Sequence, residues 1–536
     1  MRHFNTAGPV NQPDAYKIDP LTRWDTEEIL NLINERKYFI LHAPRQTGKT
    51  SCLLALRDYL NKEGTSFAFY ANFELAQAAR NNANAGIKAI VHEIASRVDD
   101  LLKKTLDMNQ FIKDYTPHFA EHSAISTILR FVCENVNKPV VMFIDEIDAL
   151  IGDTLLSVLR QLRSGYDKRP NIFPSSIILC GVRDIKDYRI HTSNNEIITG
   201  GSAFNIKTES LKLGNFSKDE MIELYNQHTN ETGQIFTNDC YDLIMEYTDG
   251  QPWLVNALAR EVTYKMKENR DRSITITPEK LEMAKERLIL ERQTHLDQLV
   301  DKLQEERVRN IISPMILGIE SEPNKDDIQY CLDLGLIKKT SQGLEISNGI
   351  YREIIPRELT DAAQINFLHI FKKFDWIEKD GSLSIRTMLN LFRAYWNENS
   401  MIVTEKWVGY HEALPQLILQ AFLQRIVNGG GYINREYAIG RKRTDIMIKW
   451  KYNSPTTEDV NWQNIILEIK TINKKQNYKT VKNEGLEQTS EYAKICGEKE
   501  AHLLIFDKDK SKKWKALEAN EIVDYDGVKI EIWKFR

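Results

Sequence analysis

The sequence is short of several things that would assign it at once. Its six cysteines, Cys52, Cys133, Cys180, Cys240, Cys331 and Cys496, stand singly with no CxxC spacing. Neither a zinc cage nor a disulfide framework is therefore expected, and a reducing interior fits best. No apolar run is long enough to span a bilayer, and the opening MRHFNTAGPVNQPD has no apolar stretch of the signal-peptide kind. The expectation is a cytoplasmic protein with no membrane partner. An excess of one charge is missing too: 72 basic and 76 acidic residues leave a net charge of -4. That balance gives no overall pull toward nucleic acid, so any such binding must come from a local patch. What remains is ordinary for a globular protein, with 42% hydrophobic and 28% charged residues. At 536 residues the chain exceeds one core, so three or four domains are expected.

The most informative stretch is KYFILHAPRQTGKTSC, residues 37–52. Residues 37–42 read as a short buried strand, and Lys49, Thr50 and Ser51 open a helix that continues through Leu53, Leu54 and Leu56. Between them Ala43, Pro44, Arg45, Gln46, Thr47, Gly48, Lys49 and Thr50 fit the phosphate-binding P-loop at every defining position except the first, where Ala43 replaces glycine. Such a loop aims successive backbone N–H groups and the positive end of a helix at an anion. Gly48 lets the main chain approach closely, Lys49 faces the β and γ phosphates of ATP, and the Thr50 hydroxyl is a Mg²⁺ ligand.

Strand and helix patterns then alternate, which predicts a parallel sheet covered on both faces. The apolar run 140–144 ends in Asp145 and Glu146. Asp145 is placed to hold Mg²⁺ and Glu146 to polarise an attacking water, which points to hydrolysis beyond storage. A further strand, 176–181, leads to Arg183 on the edge where such sheets bind ligands. Two readings of Arg183 stand side by side: a γ-phosphate sensor, or an ion pair with Asp184 or Asp187. Beyond residue 211 the pattern turns helical, with a Ser217–Glu220 capping box, a stop at Gly233, and an interruption at Gly250, Gln251 and Pro252. His228 reads as a packing residue. Together APRQTGKT, FIDEID, GVRD and GQP resemble the STAND group of P-loop ATPases, relatives of the AAA+ proteins, over roughly residues 1–275. The resemblance implies that Gly250 and Pro252 read the nucleotide near its base.

The pattern over residues 276–362, helices followed by LIKKT, SQG and LEIS, has the form of a winged helix. Lys338, Lys339 and Arg352 suit DNA, while an internal packing or relay role is the alternative reading. A helical connector, 363–407, precedes a last domain, 408–536, with a helix, a hairpin and the strand IILEIKTI. Alternation puts Glu468 and Lys470 on one face of that strand. With Asp445 they resemble the D...ExK signature of PD-(D/E)xK nucleases. The resemblance implies that Asp445 and Glu468 hold Mg²⁺, that Lys470 orients or deprotonates water, and that Gln488 and Tyr492 form the auxiliary QxxxY element. An additional acid is expected from Glu412, with Glu436 as the runner-up. Basic residues around the GRKR hairpin (Arg435, Arg441, Lys442, Arg443, Lys449, Lys451), and Lys474, Lys475, Lys479 and Lys482 after the strand, supply charge for DNA or RNA.

The expected architecture is thus multidomain α/β: P-loop core 1–210, helical lid 211–275, winged helix, connector, and a restriction-endonuclease-like α/β domain. The expected function is an ATP-driven switch, acting through conformation or homo-oligomer assembly, that controls a Mg²⁺-dependent nuclease. The alternative is an ATP-switched scaffold whose last domain binds nucleic acid or protein without cutting. A processive motor is disfavoured, since neither a second arginine finger nor a pore-loop pattern stands out.

Overall fold

The computed structural model describes residues 2–10, 13–102, 106–115, 120–191, 197–291, 299, 301–317, 324–341, 343–355, 376–406, 418, 419, 422, 423, 431–439, 442–453, 460–472, 477–507 and 520–535. The chain divides into two units, Met1–Gln298 with Asn324–Ile350, and Leu299–Pro323 with Tyr351–Arg536. Residues 276–362 are therefore shared between them.

In the first unit, strands β1 (Tyr38–His42), β2 (Phe67–Asn72), β3 (Val140–Asp145), β4 (Ser176–Gly181) and β5 (Lys207–Lys212) form a parallel sheet in the order β2-β3-β4-β1-β5. The inner strands are unbroken apolar runs because both faces are covered. Phe39, Leu41, Phe143 and Cys180 pack with Leu53 and Leu56 of helix α1 (Lys49–Glu63). Tyr38, Ile40, Met142 and Ile144 pack on the opposite face with the helices Ala83–Leu102 and Ala124–Asn135. Strand β5 has no such signature. Its sequence KTESLK is polar and partly exposed, because an edge strand is fixed by one hydrogen-bonded neighbour more than by burial. It lies across the boundary that the helical pattern suggested near residue 211. Parallel pairing sends every strand's carboxyl end to one edge, so the loops after β1, β3 and β4 meet there.

The lid follows as α2 (Lys218–Thr232), α3 (Asn238–Thr248) and α4 (Pro252–Arg260). Both halves of the Ser217–Glu220 capping box are made, and Gly233 ends α2 in the left-handed conformation. His228 is a buried packing residue, bonded to Tyr16 at 3.3 Å and Gln234 at 3.0 Å. Residues 324–350 complete this unit with α5 (Lys325–Asp333) and the hairpin of β6 (Ile337–Thr340) and β7 (Gly343–Ile346).

The second unit holds a mixed six-stranded sheet. Strands β8 (Gly431–Ile439), β9 (Lys442–Asn453) and β10 (Val460–Ile472) form an antiparallel meander. Helix α6 (Tyr478–Ile495) then crosses to β11 (Glu500–Asp507), parallel to β10, and β12 (Glu521–Tyr525) and β13 (Val528–Phe535) complete the order β8-β9-β10-β11-β13-β12. Alternation along β10 sends Ile465, Leu467 and Ile469 to a cluster with Phe392 and Trp396, and Ile466 and Ile472 to the face covered by α6. A Cβ at Gly485 would lie 2.7 Å from Leu503 Cδ1, so glycine lets α6 settle onto the sheet. Among the described residues, no helix is long and apolar enough to cross a membrane.

Candidate functional site

The loop leaving β1 begins with Ala43, which is fully buried against α1 and donates its N–H to the Gly181 carbonyl at 3.2 Å. The left-handed positions of this loop are Gln46 (φ 59°) and Gly48 (φ 93°), not Ala43. An alanine methyl at the first position therefore meets no backbone demand for glycine and adds to the core. The Lys49 ammonium folds over the loop and donates to the Ala43 and Pro44 carbonyls at 2.8 and 2.9 Å. At the tip of β3, Asp145 is buried, and its Oδ2 accepts from Thr50 Oγ1 at 2.7 Å and from the Tyr70 hydroxyl at 2.9 Å. Its Oδ1 accepts the Glu146 N–H at 2.9 Å. Burial, then the neighbouring Asp145 charge, pushes the Tyr70 phenol far up, so it stays a donor.

Glu146 turns off the strand in a left-handed conformation, φ 54°. Burial, then Asp148 and Asp145, push its carboxyl up to about 7, against the opposing pull of Lys49 and Arg45. A carboxylate of that basicity can take a proton from water near neutral pH. Mg²⁺ fits the pair Thr50 and Asp145, because this ion is held by one or two protein oxygens together with phosphate and water. Among the described residues there is no cluster of three or more metal-ligating side chains.

These groups open into a cavity of about 320 Å³. It runs from Lys49, Thr50 and Glu146 to Leu224, Trp253 and Asn256 of the lid, and its side is closed by the amino-terminal residues 5–10. That strap is held at three points: Val10 N–H to Ser51 Oγ at 2.9 Å, Trp253 Nε1 to the Thr6 carbonyl at 2.9 Å, and Arg260 Nη1 to Thr6 Oγ1 at 2.7 Å. In the sequence Gly8 and Pro9 signal only irregular chain, so this strap leaves no local pattern. Arg23 is also new. Its guanidinium donates to the Thr47 carbonyl at 3.3 Å and the Gly214 carbonyl at 2.6 Å, and lies 4.4 Å from the centre of the Phe216 ring. It ties the phosphate loop to the base of the lid.

Of the two lid residues expected near the base, Pro252 lines the cavity, while Gly250 serves the turn. Gly250 has φ 69°, and a Cβ there would sit 2.0 Å from the Phe216 carbonyl oxygen. Gln251 between them reaches back, its Nε2 lying 3.4 Å from the Gln46 carbonyl. Arg183 makes its ion pair with neither neighbour named in the sequence reading. Its Nε donates to Asp333 Oδ2 of α5 at 3.2 Å, while Asp184 is held by Lys207 at 2.6 Å. The same 324–350 segment touches the loop where a Cβ on Gly335 would lie 2.8 Å from Pro44 Cγ. Lys338, read as a DNA contact, is paired with Asp249 of the lid.

In the second unit Lys470 Nζ donates to Glu468 Oε1 at 2.7 Å on the face of β10 beneath α6. Glu468 is 3% exposed. Ile446 pairs with Leu467, so Asp445 and Glu468 occupy successive positions beside that pair. The Asp445 and Glu436 side chains, and all of Glu412, lie outside the described residues. Gln488 is exposed and Tyr492 is buried in the cluster under α6, one helical turn apart. Of the basic residues, Lys482 is paired with Glu521 at 2.6 Å, and Lys451 and Lys479 are exposed. The side chains of Arg435, Arg441, Lys442, Arg443, Lys474 and Lys475 are outside the described set.

A family model described as an AAA-like domain matches residues 24–355. No curated protein matches. Among solved structures, the chain is similar to a Walker-type ATPase of Pyrococcus abyssi at 14% identity, covering 66% of this chain and 99% of that one with a TM-score of 0.43. A Cdc6 protein from Pyrobaculum aerophilum matches at 13% identity over 66% and 97% of the two chains, with a TM-score of 0.37. The RuvB Holliday junction branch migration motor of Thermotoga maritima matches at 13% over 62% and 93%, with a TM-score of 0.32.

Proposed function

The chain belongs to the AAA-like domain family, and from that premise we propose that it binds ATP with Mg²⁺ and hydrolyses it as a molecular switch. The observation that carries this reading is the convergence of Lys49, Thr50 and Glu146 on one cavity wall. The backbone N–H groups at the start of α1 and the Lys49 ammonium hold the β and γ phosphates. Thr50 and Asp145 would hold the ion, which would supply positive charge to offset that of the phosphates. Glu146, pushed up to about 7 by burial and its acidic neighbours, accepts the proton of the attacking water. Lid and strap close the other end, so filling the cavity bears directly on α4 and residues 5–10. Phosphate release from ATP tests the reading. Turnover should need Mg²⁺ and vanish in Glu146→Gln while ATP binding persists; turnover at the wild-type rate in that variant would remove Glu146 from the chemistry.

A second reading, Mg²⁺-dependent cleavage of DNA or RNA in the carboxyl-terminal unit, is favoured by the strand register beside Asp445 and the contact between Glu468 and Lys470. In it Asp445 and Glu468 are the metal ligands and Lys470 positions water. Incubation with Mg²⁺ and a panel of DNAs and RNAs decides: cutting abolished by Asp445→Ala and by Lys470→Ala supports it. Without cut products the unit is a scaffold that binds nucleic acid or protein.

A further inference from the structure

We infer that the strap of residues 5–10 is the gate of the nucleotide cavity, and that the bond between Arg260 and Thr6 sets how long a bound nucleotide stays. This inference rests on the nucleotide reading above and extends it from the chemistry to the rate of exchange. All six strap residues, Asn5 to Val10, line the cavity. A molecule seated there lies against the strap, and lifting the strap widens its way out.

The strap is held unevenly along its length. At one end Val10 makes a single neutral bond to α1, its N–H donating to Ser51 Oγ at 2.9 Å. At Thr6 it meets two residues of α4, Trp253 and Arg260, which share one face of that helix. Trp253 Nε1 donates to the Thr6 carbonyl at 2.9 Å, and Arg260 Nη1 donates to Thr6 Oγ1 at 2.7 Å. A hydrogen bond from a guanidinium is roughly twice as strong as a neutral one, so Thr6 is the firmer anchor. The Asn5 side chain closes the residues around Thr6 into one turn: its Nδ2 donates to the Gly8 carbonyl at 3.1 Å, and its Oδ1 accepts the Ala7 N–H at 3.3 Å. Arg2, just before the turn, is fixed to α2 through Glu231 at 2.8 Å. Release at Val10 alone therefore leaves residues 5–8 over the cavity. Clearing it requires Thr6 to let go of α4, and the Arg260 bond is the larger part of that hold. Arg260 lies outside the cavity lining, so replacing it changes the gate and leaves the wall intact.

The test loads the full chain with Mg²⁺ and radiolabelled ADP, then follows release after an excess of unlabelled ADP is added. Arg260→Leu should release ADP about tenfold faster than wild type, with the association rate within about twofold. Thr6→Val keeps the shape and the carbonyl but lacks the hydroxyl, and should speed release to the same extent. The double variant should be no faster than either single one, because all three lack one and the same bond. Independent fold defects would add instead. Unchanged release in Arg260→Leu, or gains that add in the double variant, overturn the gate and leave the phosphate site standing. If wild type binds no ADP, the nucleotide reading itself falls and the gate with it.

Discussion

Glu146 shows how much of a site depends on surroundings that one residue cannot reveal. Its place after an apolar strand was legible, but the rise of its carboxyl to about 7 comes from burial and from Asp148 and Asp145. The sign of the consequence is fixed. A carboxyl raised from 4.5 to about 7 on folding stabilises the protein below 4.5, and that contribution is lost as pH climbs to about 7. Over this interval the nucleotide-free protein should lose about 2 kcal/mol, discounted for partial exposure. The activity change runs the opposite way, since the deprotonated base is the working form and turnover should rise through pH 7. Urea unfolding and phosphate release measured from pH 4.5 to 8 check both, and Glu146→Gln should remove the stability slope. At the same scale, Ala43 was legible as a departure from the usual loop, and the buried, unstrained position it fills explains why it is tolerated. The Asp333 partner of Arg183 was not legible, because an ion pair across 150 positions leaves no local pattern.

At the scale of elements, what the sequence shows depends on how an element is stabilised. Strands β1 to β4 are buried on both faces and announce themselves as apolar runs; β5 is a polar edge strand and does not. The capping box of α2 was legible because it is made from neighbours three positions apart. The strap of residues 5–10 was not, because its anchors lie on Ser51, Trp253 and Arg260. The turn into α4 carries a sharp expectation. Gly250→Ala would place a methyl 2.0 Å from the Phe216 carbonyl oxygen at a left-handed position, and should destabilise the first unit by about 2 kcal/mol or more. Urea unfolding reads the loss, and a change within experimental error would mean that the turn relaxes freely.

At the scale of the molecule, the sequence announced an α/β chain with a parallel sheet at the front and a second sheet at the back. It did not announce that residues 324–350 fold with the front unit, against Pro44, Arg183 and Asp249. Hairpin residues that look like nucleic-acid contacts in isolation are partly spent on internal pairs. The central claim is that the loop around Lys49 holds a triphosphate. Binding of ATP in the presence of Mg²⁺ to wild type and to Lys49→Ala, each verified as folded, tests it most directly. Wild type should saturate, and the variant should bind at least about 100-fold more weakly, since it loses the cation that faces the phosphates. Equal affinity in the two proteins would contradict it.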